Sequence, residues 1–327
     1  MALQGKRVLV TGGSGFIGSH LTRRLVELGA DVYVLVKYNS VVDNVRIAGL
    51  WDRVTPVEAD IRNADSLRRL REIRPEIIFH LAAYNHVGDS FFHVSEAVDS
   101  NSKGTVNVLE AYDEYDRFIY ISTSEVYGHQ ERLPFQEDSF PHPRSPYAVG
   151  KYAGEMYARM KWISESKPVV VVRPFNAYGP YQSPRAVTAE LIIACLRGDD
   201  VITTEGYQTR EFNFVGDLVE GFILAADSPN AVGEIINLGC GEETRIRDRV
   251  EQIHELSQST SRLRIGELAG RPGEILRMVA DNSKAADLLG WSPKVGSEQG
   301  LTTTIDWYRR FLEQFGDANS PIAQLGL

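Results

Sequence analysis

Short apolar runs alternate along the chain with longer stretches in which apolar residues recur every third or fourth position. Lys6-Arg7-Val8-Leu9-Val10 is the first run and ends at Thr11-Gly12-Gly13. From Phe16 to Gly29, Ile17, Leu21, Leu25 and Leu28 share one helical face. Asp31-Val32-Tyr33-Val34-Leu35-Val36 reads as a second strand, and Val54-Thr55-Pro56-Val57-Glu58-Ala59-Asp60 as a weaker third. Residues 64–73 read as helix and Ile77-Ile78-Phe79-His80-Leu81 as a fourth strand. Helix over 101–115 precedes a fifth strand, Arg117-Phe118-Ile119-Tyr120-Ile121-Ser122. A long helix over 146–165 precedes a sixth, Val169-Val170-Val171-Val172-Arg173. Runs this apolar are buried on both faces, and their alternation with helices predicts a doubly wound, parallel α/β sheet of Rossmann type.

After Pro174 the pattern loosens, with Gly, Pro and polar residues crowding 176–186. Helices are predicted over 187–197, 217–227, 247–257, 283–289 and 301–314, with one more strand at Glu234-Ile235-Ile236-Asn237-Leu238. The expected division is a dinucleotide-binding domain over 1–174, with a segment returning to it near 210–240, and a smaller substrate-binding lobe over 175–327. A cleft between packed lobes is the expected ligand site. The tail 315–327 is expected to be disordered.

The 327 residues carry 43% hydrophobic and 24% charged residues, ordinary for a globular protein. A net charge of −9 argues against nucleic acid as a partner. No apolar run approaches the roughly 20 residues of a membrane helix, so no membrane role is expected. The two cysteines, Cys195 and Cys240, lack metal-ligand spacing and fit a reducing cytoplasm.

Between the first strand and helix stands Gly12-Gly13-Ser14-Gly15-Phe16-Ile17-Gly18, spaced Gly-x-x-Gly-x-x-Gly. The first glycine permits the tight turn, the second lets backbone approach a pyrophosphate, and the third lets helix and sheet pack closely. A nicotinamide dinucleotide is therefore the expected cofactor. The second strand ends in Lys37-Tyr38-Asn39-Ser40, with no acid to hold a ribose 2′-hydroxyl. Lys37 leans towards NADP, whose 2′-phosphate a basic residue can pair. Asp60 and Ile61 are placed to contact the adenine.

Tyr147-Ala148-Val149-Gly150-Lys151 puts a phenol and an ammonium one turn apart on a helix. A nearby ammonium lowers a tyrosine's pKa and makes it a usable base for oxidising an alcohol. The pair follows Ser122-Thr123-Ser124-Glu125-Val126-Tyr127-Gly128, at the C-terminal end of a parallel strand, where open α/β sheets bind ligands.

These segments, with His80-Leu81-Ala82-Ala83 and Arg173-Pro174-Phe175-Asn176-Ala177-Tyr178-Gly179-Pro180, resemble the extended short-chain dehydrogenases/reductases of the NAD-dependent epimerase/dehydratase family over nearly the whole chain. The resemblance implies action on a nucleotide-diphosphate sugar with a tightly held NAD or NADP. It implies that Thr123 hydrogen-bonds the sugar C4 oxygen, Tyr147 takes its proton, and Lys151 binds the nicotinamide ribose. It also implies cofactor contacts from Leu81, Ala82 and Ala83. Glu125 resembles the 4,6-dehydratases and UDP-glucuronate decarboxylases more than the simple 4-epimerases. A dehydratase needs such a base: a C4 ketone acidifies the C5 proton, which a carboxylate can remove as hydroxide leaves C6.

The segment Ala83-Tyr84-Asn85-His86-Val87-Gly88-Asp89-Ser90-Phe91 resembles dehydratases more than decarboxylases, and implies His86 and Ser90 in the pocket wall. Ser124 departs from the dTDP-glucose dehydratases, which have Asp there; either Glu125 or a water held by Ser124 then assists loss of the C6 hydroxyl. Asn176, Arg185, Arg210 and Arg271 fall where the family contacts the diphosphate and nucleotide, a task that suits the arginine fork. The nearest resemblance is to UDP-N-acetylglucosamine 4,6-dehydratases of the legionaminic-acid type. A decarboxylase or 4-epimerase on the same fold is the alternative, and a non-catalytic dinucleotide sensor a remote one. The resemblance also implies a homodimer, joined in a four-helix bundle by the helices near 101–115 and 146–165.

Overall fold

The computed structural model describes residues 3–38, 45–270 and 275–316. Seven parallel strands form its central sheet: β1 (Arg7–Thr11), β2 (Asp31–Val36), β3 (Thr55–Glu58), β4 (Ile77–His80), β5 (Arg117–Ile121), β6 (Val169–Pro174) and β7 (Ile235–Leu238). They lie in the order β7-β6-β5-β4-β1-β2-β3, so the winding reverses between β1 and β4. That reversal opens a crevice at the C-terminal strand ends.

Both faces of the sheet are buried, and each strand divides its side chains between them. Val8, Val10, Ile77, Phe79, Ile119, Ile121, Val170 and Val172 join one core. Leu9, Ile78, Phe118, Tyr120, Val169 and Val171 join the other. A third cluster, around Tyr178, Ile192, Val250 and Ile305, underlies the C-terminal lobe. Of the later helices, Val187–Arg197, Ile246–Leu256 and Ser297–Phe315 build on that cluster and Val215–Asp227 and Ser283–Leu289 on the first core, all close to their expected positions. Short strand pairs connect them, including Asn213–Phe214 beside Ala177–Tyr178.

Two helical stretches differ from expectation. Residues 64–73 hold a 3-10 turn, Ala64–Leu67, and a single short helix, Leu70–Ile73. In place of helix over 101–115, an α-helix Val94–Val98 leads through a π turn, Asp99–Lys103, into a second helix, Gly104–Ala111. Only Ala97 is buried in the first piece, and at five residues it is too short to show a sustained apolar period. The π turn points Asn101 inward, where its side chain bonds Tyr84 N at 2.7 Å and Tyr147 O at 3.3 Å. The expectations for Asn39, Ser40, Arg271 and the tail from residue 317 lie outside the described residues.

Candidate active site

The first helix, Phe16–Glu27, begins directly above β1 through the glycine turn. Gly12 has φ +70°, and a Cβ there would meet Ala82 N at 2.8 Å. A Cβ on Gly18 would meet Gly12 O at 2.0 Å, so the helix could not seat against the turn. At Gly15, by contrast, a Cβ would meet only Gly12 O, at 3.2 Å, and the space beyond is open. The first N–H groups of a helix lack intrahelical partners, and here they belong to Phe16, Ile17 and Gly18. An open cradle of glycine and helix-start amides fits a dinucleotide pyrophosphate. Leu81 and Ala82 continue this wall: Leu81 N donates to Thr11 O at 3.1 Å and Ala82 N to Thr11 Oγ1 at 3.1 Å. Ala83 follows, half-buried.

Beyond β2, Lys37 is exposed. Asp60 is tied to Arg62 at 2.6 Å, and that guanidinium, with burial opposing, holds its carboxyl below the usual range; Lys37 adds a smaller pull in the same direction. Ile61 is buried beneath. Arg62 also reaches Glu96 at 3.1 Å, a basic neighbour of the cofactor wall that the sequence pattern did not single out.

The chemistry-bearing residues gather at the end of β5. Thr123 Oγ1 accepts from Glu125 N at 3.2 Å, capping the 3-10 turn Ser124–Val126. Ser145 caps the helix Pro146–Glu165 through Ala148 N at 3.1 Å, with Pro146 in its first turn. That start sets Tyr147 facing the strand end and Lys151 one turn below. Lys151 Nζ donates to Ile121 O at 2.5 Å and lies 4.6 Å from the Tyr120 ring centroid. Burial pushes the Tyr147 phenol up to about 12, against a hydrogen bond with Thr123, while Glu125 adds to the rise. Burial pushes Lys151 down to about 7, with Glu155 opposing. Burial is thus the largest influence on both groups. Glu125 is raised by burial, with the Arg210 charge opposing. Thr123, Glu125, Tyr147 and Arg210 thus share one electrostatic neighbourhood, with Lys151 one helical turn beyond Tyr147.

The remaining sequence candidates are less closely joined. Ser124 Oγ is buried against Met278 Sδ at 3.4 Å. Ser90 is buried and donates to Val87 O at 2.6 Å within its own turn. His86 Nδ1 accepts from Asp89 N at 3.1 Å. Asp89, unassigned in the sequence reading, forms an ion pair with Arg185 at 2.6 Å, tying the loop after β4 to the C-terminal lobe. Arg210 Nη1 donates to Thr209 O at 2.8 Å and Ile275 O at 2.7 Å. Asn176 is half-buried, and its carbonyl accepts from Asn213 N at 2.8 Å. Sequence reasoning also missed Glu155 and Arg173, buried behind Lys151. A lone arginine closing a strand of valines was the signal, because a buried charge calls for a partner.

A Rossmann sheet with Tyr147 and Lys151 at its carboxyl end defines a short-chain dehydrogenase/reductase. The model of the GDP-mannose 4,6 dehydratase family matches residues 9–304, and the chain belongs to that family of epimerases and dehydratases. It is 32% identical to the dTDP-D-glucose 4,6-dehydratase of Mus musculus, over 97% of this chain and 92% of that one. It is 34% identical to the UDP-N-acetyl-α-D-glucosaminuronate decarboxylase of Bacillus cytotoxicus, over 93% and 98%. Among solved structures, the UDP-glucuronic acid 4-epimerase of Bacillus cereus, in complex with UDP-glucuronic acid and NAD, superposes with a TM-score of 0.85 at 32% identity, over 93% and 99%. The chain is an enzyme of this family, and its relatives divide among three reactions. Among the described residues no helix is long and apolar enough to cross a membrane.

Proposed function

We propose that this enzyme is a nucleotide-sugar 4,6-dehydratase that converts its substrate to a 4-keto-6-deoxy sugar. The observation that carries the reading is Glu125, a half-buried carboxyl raised by burial and set beside Tyr147. A poised base there has a task if the C5–H bond breaks, as in a dehydratase, and none in a simple 4-epimerase. The chemistry supplied by the nicotinamide cofactor when bound is reversible hydride acceptance, from C4 and back to C6. Residues 12–18 hold its pyrophosphate, and Lys151 its nicotinamide ribose. NAD is the reading its structural relative supports; Lys37 is the opposing feature, and the affinities for NAD and NADP measured side by side decide between them.

In the proposed course Thr123 orients the C4 oxygen and Tyr147 receives its proton. Glu125 then removes the C5 proton and hands it to the hydroxide leaving C6, which departs as water; Tyr147 gives up the C4 proton to solvent, and solvent returns one proton to C5. Glu125 serves as the C6 acid as well as the base, because the Ser124 hydroxyl faces Met278. Asn176, Arg185 and Arg210 take the diphosphate and nucleotide, and His86 lines the sugar pocket. UDP-N-acetylglucosamine is the favoured substrate on the sequence resemblance. A uronate decarboxylase is the second reading, favoured by the Bacillus cytotoxicus relative.

The test is separate incubation with UDP-N-acetylglucosamine, GDP-mannose, dTDP-glucose and UDP-glucuronate, followed by mass spectrometry. Loss of water supports the dehydratase. Loss of carbon dioxide establishes the decarboxylase, and an isomer of unchanged mass the epimerase.

The proposal extends to assembly and place. We read residues 1–174, with the returning strand, as the cofactor-binding domain and the remainder as the substrate lobe. A homodimer is supported by the helix Pro146–Glu165, where Val149, Ala153 and Ile163 are exposed and Met156 and Met160 half-buried along one stripe. Val94 and Val98 of the neighbouring helix are exposed as well. Light scattering should give twice the chain mass; a strict monomer removes this part. The free thiols Cys195 and Cys240 support a cytoplasmic setting.

A further inference from the structure

Strand β5 and the helix Pro146–Glu165 are joined by a series of bonds beside the site, one of which carries no role so far. Lys151 Nζ donates to Ile121 O at 2.5 Å, and the Tyr120 hydroxyl donates to Lys151 O at 2.8 Å. One turn further along the helix, Glu155 Oε2 accepts from the Ser122 hydroxyl at 2.6 Å. Glu155 has no exposed surface. Its other partner is Arg173 of β6, with Nη2 donating to Oε1 at 2.5 Å and Nε to Oε2 at 3.1 Å. Arg173 is itself buried, lies 4.7 Å from the Tyr127 ring centroid, and donates to Glu137 O at 3.2 Å. Both oxygens of the carboxylate are occupied, so its position is fixed.

A buried ion pair is a weak route to stability, because desolvation offsets most of the attraction and apolar residues could fill the same volume. Its placement is more informative. Lys151 and Glu155 hold successive residues, Ile121 and Ser122, so the next residue, Thr123, is delivered in fixed register opposite Tyr147. The groups that pack against or act on the Lys151 ammonium are the Tyr120 ring on β5, His80 on β4 and Glu155, with Tyr147 one turn earlier on the helix. Burial keeps His80 neutral, pushing it down to about 3. Burial likewise keeps both phenols neutral, raising Tyr120 and Tyr147. Arg173 on β6 adds a positive charge, paired to Glu155. The carboxylate is thus the anion among the groups packed here, and it works against the burial of Lys151.

We propose that Glu155, clamped by Arg173, is a positioning residue of this enzyme: it fixes the Ser122–Thr123 end of β5 and keeps the Lys151 ammonium charged. Its consequence for turnover rests on the proposed role of Tyr147 and Lys151, but the charge on Lys151 can be read without substrate. The experiment follows the lysine ¹³Cε resonances of the full-length protein by NMR through a pH titration, with Lys151 assigned from Lys151→Met. Glu155→Gln should lower the Lys151 midpoint by about one pH unit, a tenfold loss of proton affinity. Glu155→Asp should recover most of that shift. With a substrate that turns over, the alkaline limb of kcat should move down by the same amount while KM changes less than about twofold. A folded Glu155→Gln with an unchanged Lys151 midpoint overturns the proposal. If that variant fails to fold, the pair Glu155→Leu with Arg173→Met replaces both charges by apolar groups. It should fold and lower the midpoint by less than about one pH unit, because the Arg173 charge leaves together with the carboxylate; a midpoint at or above the parent's overturns the proposal again. If the parent enzyme turns over no nucleotide sugar, the functional reading fails, and the NMR arm still decides the role of Glu155.

Discussion

Two ion pairs border the site, alike in length and opposite in setting. Glu155–Arg173 closes at 2.5 Å with side chains 0% and 2% exposed. Asp89–Arg185 closes at 2.6 Å with side chains 31% and 65% exposed. The first links a helix to the sheet beneath the reacting groups and has no water to exchange with. The second links the loop after β4 to the C-terminal lobe, where solvent and salt screen it. The contrast assigns the two ends of the site different physics: the end we propose moves protons is rigid and dry, and the end we propose meets the diphosphate is held by a contact that yields. On that proposal Arg185 leaves Asp89, at least in part, to grip a phosphate.

The sharpest way to break that contrast is to remove one partner from each pair. Arg173→Met strands a buried carboxylate, and a loss of about 3–5 kcal/mol in urea unfolding is expected. Asp89→Asn, at a solvent-screened pair, should leave the urea midpoint close to the parent's. Comparable losses from both would end the distinction.

Acid offers a second, intermediate test of the dry end. Burial pushes His80 down to about 3 and His20 down to about 4. Between those values and the ordinary histidine range near 6.5 the unfolded chain binds protons that the folded one refuses. Stability therefore falls as pH drops through this window, by up to about 1.4 kcal/mol per pH unit for each histidine. Thermal melting from pH 7 down to pH 4.5 should show it, and His20→Asn should flatten the slope. An unchanged slope in that variant would mean His20 is not the neutral group described.

The smallest effect belongs to the mouth of the site. With Arg185 released, Asp89→Asn should lower KM for the nucleotide sugar a few-fold at low salt, and the advantage should vanish in about 1 M salt. A KM that rises instead would place Asp89 on the substrate.

The same contrast governs what the sequence made legible. Strands such as Val169–Pro174 and the helix Pro146–Glu165 stand where pattern predicted them, because burial on two faces and a Ser-Pro start leave few alternatives. The stretch Val94–Val98 was missed because one turn of helix is too short to show a sustained apolar period. Thr123, Glu125, Tyr147 and Lys151 were legible as residue types at a strand end. Their environment was not: spacing says the lysine lies near the tyrosine, but only packing says that burial raises one and lowers the other. Asp89 and Glu155 were invisible for a related reason. Each takes its meaning from an arginine distant in sequence, Arg185 and Arg173.

The central claim is that Glu125 breaks the C5–H bond, and isotope incorporation tests it most directly. Turnover of UDP-N-acetylglucosamine in D₂O, read by NMR, should give a 4-keto-6-deoxy product carrying deuterium at C5, with Glu125→Gln stopping that incorporation. Product that retains protium at C5, or a 4-epimer formed without exchange, would contradict the account.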